Sequence, residues 1–159
     1  MQTRRQARRA FTLIEVMLVI VILVSLASVA VVVLWPAREE ANAKTTKLKI
    51  EKVMSGLERY ANEMGYPSEE QALKALLEKP QFEDAAMADK WHGPYVSPTD
   101  LKDAWGKDLV YKIEEVQTDS TTRKVPRVHS LGQNQTDDDG SGDDICDDAW
   151  QAAKAAQNQ

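Results

Sequence analysis

Phe11-Thr12-Leu13-Ile14-Glu15-Val16-Met17-Leu18 opens an apolar run that continues to Trp35, and Glu15 is the single charge within it. Val16 to Trp35 are twenty consecutive residues without a charge, about 30 Å as a helix and enough to cross a bilayer. A carboxylate inside a membrane helix costs roughly 2.5–3.5 kcal/mol on insertion scales, so it persists where something neutralises it. A short basic leader, residues 1–10 with Arg4, Arg5, Arg8 and Arg9, precedes the run. Cutting between Ala10 and Phe11 would create an amine able to neutralise Glu15. The chain therefore reads as a precursor whose new N-terminus joins an assembly inside a membrane.

Arginines before the run, with no comparable basic cluster immediately after it, place the N-terminus in the cytoplasm. The remainder then lies outside, in the periplasm of a bacterium. A cleaved secretory signal is the rival reading, with Ser28-Val29-Ala30 as a small-x-small site. Its apolar core is roughly 7–15 residues, however, and here Val31 to Trp35 continue the run past that site. A plain anchor helix with a snorkelling Glu15 is a second rival. The leader and the motif together favour assembly.

The chain has 159 residues and, apart from the membrane segment, room for one small domain. Its net charge of −5 hides an asymmetry: Lys44, Lys47, Lys49 and Lys52 follow the apolar run, and seven aspartates gather between Asp137 and Asp148. Neither grouping suits nucleic acid, which wants a basic patch on a folded domain with stacking aromatics or a reading helix. Cys146 has no second cysteine to pair with, and its thiol is read as incidental. Beside Asp147 and Asp148 it is the opposite of an activated nucleophile. His92 and His129 sit in no nucleophile–base pattern, so the chain reads as a substrate of enzymes and not as an enzyme.

The long helix is expected to continue past the membrane, kinked at Pro36. Ile50, Val53, Met54, Leu57, Tyr60, Ala61 and Met64 form one apolar stripe at 3-4 spacing, so Arg38 to Lys49 are expected to be solvated or to face neighbours. Gly65-Tyr66-Pro67 ends the helix. Ser68-Glu69-Glu70-Gln71 is a capping-box pattern opening a second, short helix. Phe82 to Asp100 reads as a loop-rich crossing. Leu109–Ile113 and Val125–His129 read as a β-hairpin joined by polar Gln117–Thr122, with Pro126 marking its second arm as an edge. The class is α+β.

The Phe11-Thr12-Leu13-Ile14-Glu15 start after a basic leader resembles the N-terminus of type IV pilins and pseudopilins. That resemblance implies a pilin-like fold, cutting between Ala10 and Phe11 by a prepilin peptidase, and N-methylation of Phe11. It also implies that Glu15 meets the Phe11 amine of a neighbouring subunit and sets filament register, a recognised use of a costly ion pair. The family usually has Gly before the cut, where Ala10 stands, and a proline near Val32, where Pro36 follows later. Tyr66-Pro67-Ser68-Glu69-Glu70-Gln71-Ala72-Leu73 is similar to the Tyr-Pro-Thr-x-Glu-Gln-Gly-Leu stretch of the major pseudopilin of type II secretion. Trp91-His92-Gly93-Pro94-Tyr95 and Asp103-Ala104-Trp105-Gly106 match further segments, with Ala104 in place of a usual Pro. The aromatics of these segments are read as core.

The acidic stretch 131–148 places hard oxygen donors on a turn-rich backbone, which suits calcium. An EF-hand reading fails, because Asp144 stands at an apolar position and Asp148 where Glu belongs. The pseudopilin resemblance implies a different calcium set. Leu131 would offer a carbonyl, Asn134 stands for a usual Asp, and Asp143 and Asp144 carry over directly, with Asp137 or Asp139 able to supply the missing carboxylate. A solvated acidic loop is the alternative, although so many close aspartates repel one another without a cation.

The expected organisation is a leader (1–10), a membrane and assembly helix (11–35), the soluble half of that helix (36–65) and a globular domain (66–159). The resemblance implies a homopolymer through the N-terminal helix, with minor pseudopilins, the prepilin peptidase and an inner-membrane assembly platform as partners. The periplasmic filament so built drives export of folded proteins across the outer membrane. A surface type IV pilin is the alternative, but its usual disulfide-closed C-terminal loop is absent. A membrane-tethered calcium module unrelated to filaments leaves Glu15 unexplained.

Overall fold

The structure, a computed structural model, describes residues 11–82, 85–118 and 121–151. Ala10 and the leader lie outside the described residues. Helix α1 is Leu13–Met64, with Pro36 inside it, and the chain divides into two compact units between Arg38 and Glu39.

In the first unit, every residue from Phe11 to Arg38 is exposed. A helix that is apolar all round and uncovered needs a bilayer or other helices around it, and α1 is long and apolar enough to cross a membrane. Its hydroxyls are already satisfied locally: Ser25 donates to the Ile22 carbonyl and Ser28 to that of Ser25, each at 2.8 Å. That back-bonding removes the cost of a polar group in lipid.

The second unit packs its core on α1 from Thr46 onward. Thr46, Ile50, Val53, Leu57 and Tyr60 are buried at 4-3-4-3 spacing. The buried face therefore starts a turn earlier than the apolar stripe, and Arg38–Lys49 is not simply solvated. Its contacts are polar, which hydropathy does not register. Thr46 Oγ1 accepts the Ala104 amide at 3.1 Å, and Glu39 Oε2 accepts the Trp105 indole N–H at 3.0 Å. Lys49 donates to the Lys102 carbonyl at 2.8 Å.

Gly65, at φ +79°, reverses the chain after α1. Ser68 and Gln71 then exchange reciprocal bonds at 3.4 and 3.3 Å, the expected capping box. That box closes the turn before the helix and does not cap it: the helix is a 3-10 turn, Ala72–Leu76, whose N-cap Gln71 makes no side-chain cap bond, and it buries Leu73, Ala75 and Leu76. Ala72 sits at φ +46°, a left-handed conformation where the pseudopilin pattern has Gly. The loop-rich stretch 82–100 carries the short helix α2, Ala85–Asp89, and leads into a second 3-10 turn, Pro98–Leu101. Tyr95 closes the core edge-on to Tyr60 and Trp91, at 5.6 and 6.0 Å between centroids.

Strands β1 (Val110–Thr118), β2 (Thr121–Ser130) and β3 (Ile145–Cys146) form an antiparallel sheet in the order β1-β2-β3. The hairpin is longer than the apolar residues indicate. Gln117 pairs with Thr122 and Thr118 with Thr121, because a backbone ladder does not need apolar side chains at its outer end. By order β2 is central, which corrects the edge reading from Pro126. Yet β3 pairs only with His129 and Ser130, so nothing on that side needs a Pro126 amide. On the other edge Glu69 accepts the Ile113 amide at 3.0 Å. The architecture is pilin-like α+β: a long N-terminal apolar helix followed by a small globular part.

Candidate functional site

At the head of α1, Thr12 caps the helix. The Glu15 amide donates to the Thr12 carbonyl at 3.1 Å and to Thr12 Oγ1 at 3.3 Å. The Thr12-x-x-Glu15 spacing was the sequence signal for this cap, hidden inside a motif read for its charge. Glu15 thus lies in the first turn, where the helix dipole favours an anion. Phe11 and Glu15 are both exposed within the single chain.

The second site is the acidic loop, hung on the core by Asp103. That carboxylate is 3% exposed. Its Oδ1 accepts the amides of Trp105 and Lys107 at 3.0 and 2.8 Å, and its Oδ2 accepts the Ser130 hydroxyl at 2.7 Å. Ser130 Oγ in turn accepts the Gly132 amide, so the loop leaves β2 in a fixed direction. Gly132, at φ +61°, passes so close to Asp143 that a Cβ would lie 2.2 Å from the Asp143 carbonyl oxygen.

Of the four expected metal donors, Leu131 is half-buried beside this turn, and Asn134 and Asp143 are exposed partners. The Asn134 amide donates to Asp143 Oδ2 at 2.9 Å, and Asn134 Oδ1 accepts the Thr136 amide at 2.6 Å. Asp144 lies deeper. Its Oδ2 accepts the amides of Asp138 and Gly140, at 3.0 and 2.9 Å, while its Oδ1 is buried without a partner among the described residues. Among the described residues, the side chains that converge closely enough to hold an ion are His129, Asp137 and Asp144, with donor atoms within 4.8 Å of one another. The structure thus joins Asp144 to Asp137, one of the two carboxylates weighed from sequence, and to His129, which sequence reasoning did not connect with the loop.

His129 is fully buried in β2, edge-on to Trp150 at 5.1 Å, with one ring nitrogen 3.1 Å from Asp137 Oδ1. The Asp139 amide holds the Asp137 carboxyl below its usual range, with His129 and Lys112 adding to the effect. Burial works against the Lys112 ammonium, but Asp139 and Asp137, at 3.1 and 3.3 Å, outweigh it and raise its pKa. Beyond the loop, Arg127 is buried between Glu114 and Trp150, and Trp150 is 2% exposed. Trp150, just past the acidic stretch, is thus a core aromatic. Cys146 is buried in β3 rather than incidental.

The family described as "Type II secretion system (T2SS), protein G" matches residues 34–148, and the "Prokaryotic N-terminal methylation motif" matches residues 5–31. The type II secretion system core protein G of Klebsiella michiganensis is 36% identical over 110 residues, covering 60% of this chain and 78% of that one. That of Pectobacterium carotovorum is 45% identical over 74 residues, 46% of this chain and 47% of its own. That of Vibrio cholerae is 33% identical over 109 residues, 68% and 73%. No solved structure matches.

Proposed function

The chain belongs to the type II secretion system protein G family, and from that footing we propose that it is the repeating subunit of a periplasmic pseudopilus that drives folded proteins across the outer membrane. The observation that carries this reading is the conjunction of two matched segments on one chain. The methylation motif lies over a helix head whose Phe11 and Glu15 are uncovered, and the protein G match, residues 34–148, runs over most of the globular part. The match to protein G speaks against a surface type IV pilin.

In this account the leader is removed between Ala10 and Phe11, and Phe11 is N-methylated. Residues 11–35 cross the inner membrane with the N-terminus cytoplasmic, and 36–65 and 66–159 lie in the periplasm. In the assembled filament the Phe11 amine of one subunit meets Glu15 of the next. Minor pseudopilins, the prepilin peptidase and the assembly platform are its partners.

Calcium fits the acidic loop by two features. Asp144 Oδ1 is a buried acceptor without a donor among the described residues, which favours a cation beside it. Leu131, Asn134 and Asp143, the other donors that the family resemblance implies, offer the hard oxygens that calcium prefers. Bound there, the ion would offset the aspartates' repulsion and clamp the segment to β2.

Deleting the gene in the source bacterium tests the function. Secreted proteins should leave the medium and accumulate folded in the periplasm, and a plasmid copy should reverse this. Unchanged secretion, with loss of surface adhesion or motility fibres, would favour the pilin reading instead.

A further inference from the structure

We propose that the deep corner of the acidic loop, His129 with Asp137 and Asp144, binds a transition divalent cation of the zinc or manganese class, and that this cation competes with calcium for Asp144. The inference rests on the reading of the loop as a cation site and differs from it in the donor set. One donor atom from each of the three residues lies within 4.8 Å of the other two. Asp144 also carries a buried oxygen, Oδ1, without a partner among the described residues, and the His129 nitrogen that faces Asp137 is Nε2. A buried polar atom left unpaired is costly, and the Asp144 oxygen in particular calls for a positive charge.

The surroundings are pre-arranged as supporting groups arrange a metal's ligands. The amides of Asp138 and Gly140 hold the other oxygen of Asp144, at 3.0 and 2.9 Å. Lys112 holds Oδ2 of Asp137 at 3.3 Å, which leaves Oδ1 turned toward His129 at 3.1 Å. His129 is fully buried, and its ring is fixed edge-on against Trp150. An imidazole nitrogen decides the class of ion: calcium takes oxygen ligands, whereas zinc and its neighbours accept nitrogen together with carboxylate. Lys112 repels a cation at this corner and tempers its affinity.

The test uses the full chain in detergent micelles, with Co2+ as the coloured probe. One equivalent of Co2+ should give a visible absorption band that Zn2+ abolishes by displacement. Asp137→Asn and His129→Gln should each weaken Co2+ binding by at least the ~10–100-fold that losing even a supporting group costs. His129→Gln should leave calcium stabilisation in place, and Asp143→Asn should do the reverse. Asp137 is half-exposed, so its variant serves if His129→Gln does not fold. A Co2+ band unchanged in Asp137→Asn overturns the proposal, as does an absence of Co2+ binding in protein that calcium stabilises. Co2+ binding lost in both variants, in protein indifferent to calcium, would sustain this site and overturn the calcium reading alone.

Discussion

Replacing Asp103 with Ala removes the group that hangs the acidic loop on the core. Its carboxylate is 3% exposed and receives two backbone amides and one hydroxyl. Without it the Trp105 and Lys107 amides lose their acceptor. At about 1–3 kcal/mol for each orphaned donor, the two cost roughly 2–6 kcal/mol. The Ser130 hydroxyl can rotate and adds less, and relief of a buried charge offsets part of the loss. The net is about 3 kcal/mol, a large part of the roughly 5–15 kcal/mol that holds a domain together. Asp103→Asn keeps an acceptor for both amides and should lose only about 1 kcal/mol. Urea unfolding of the full chain in detergent micelles, followed by tryptophan fluorescence, measures this. With a slope of about 1–3 kcal/mol/M, Asp103→Ala should lower the midpoint by about 1–3 M. A midpoint within about 0.3 M of the parent would refute the hub, because such a shift is under about 1 kcal/mol at any usual slope.

N-terminal sequencing of the membrane-extracted protein should begin at methylated Phe11, and a start at Val31 or an uncut chain beside an active prepilin peptidase would contradict the processing. Calcium should raise the melting temperature of the full chain, by about 2.7 kcal/mol of stabilisation at one hundred times the dissociation constant. Asp143→Ala and Asp144→Ala should each remove most of that gain, and Asp148→Ala little. Identical melting with calcium and with chelator would return the loop to a solvated surface. His92 should titrate above its ordinary 6.5, since the Glu63 hydrogen bond, the Lys90 carbonyl and the Glu63 charge favour its cation. A raised folded pKa means that this contact stabilises fully below the unfolded value and is lost as pH rises through the folded one. The side chain is largely exposed, so the effect on stability is small and NMR is the assay. A His92 midpoint that Glu63→Gln leaves unmoved would show that the contact does not set it.

The parts of this fold legible in the sequence are those written as apolar spacing. The run to Trp35 and the stripe from Ile50 to Tyr60 depend on helical periodicity, which a single chain carries by itself. Thr46 and Glu39 belong to the same packed face, yet they join it through hydrogen bonds to the 104–105 turn, and those partners lie about sixty residues away. The outer hairpin, from Val116 opposite Arg123 to Thr118 opposite Thr121, is paired along its backbone through a mostly polar stretch that leaves little apolar signature. Trp150 was hidden by its polar neighbours, although a tryptophan in a tail rich in Ala and Gln is itself a sign of burial. The loop's chemistry was legible as composition, seven aspartates in twelve residues. Its geometry was not, because the meeting of His129 with Asp137 and Asp144 depends on β3 returning to pair with β2.

The central claim, that this chain polymerises through the head of α1, is tested most directly by Glu15→Val in the source bacterium, read out by in-cell crosslinking. Insertion should be unharmed, because a charge leaves the apolar run. The account predicts normal monomer in the inner membrane and loss of the crosslinked ladder, because the Phe11 amine of the neighbour has lost its partner. A ladder of normal length and abundance from Glu15→Val would contradict it.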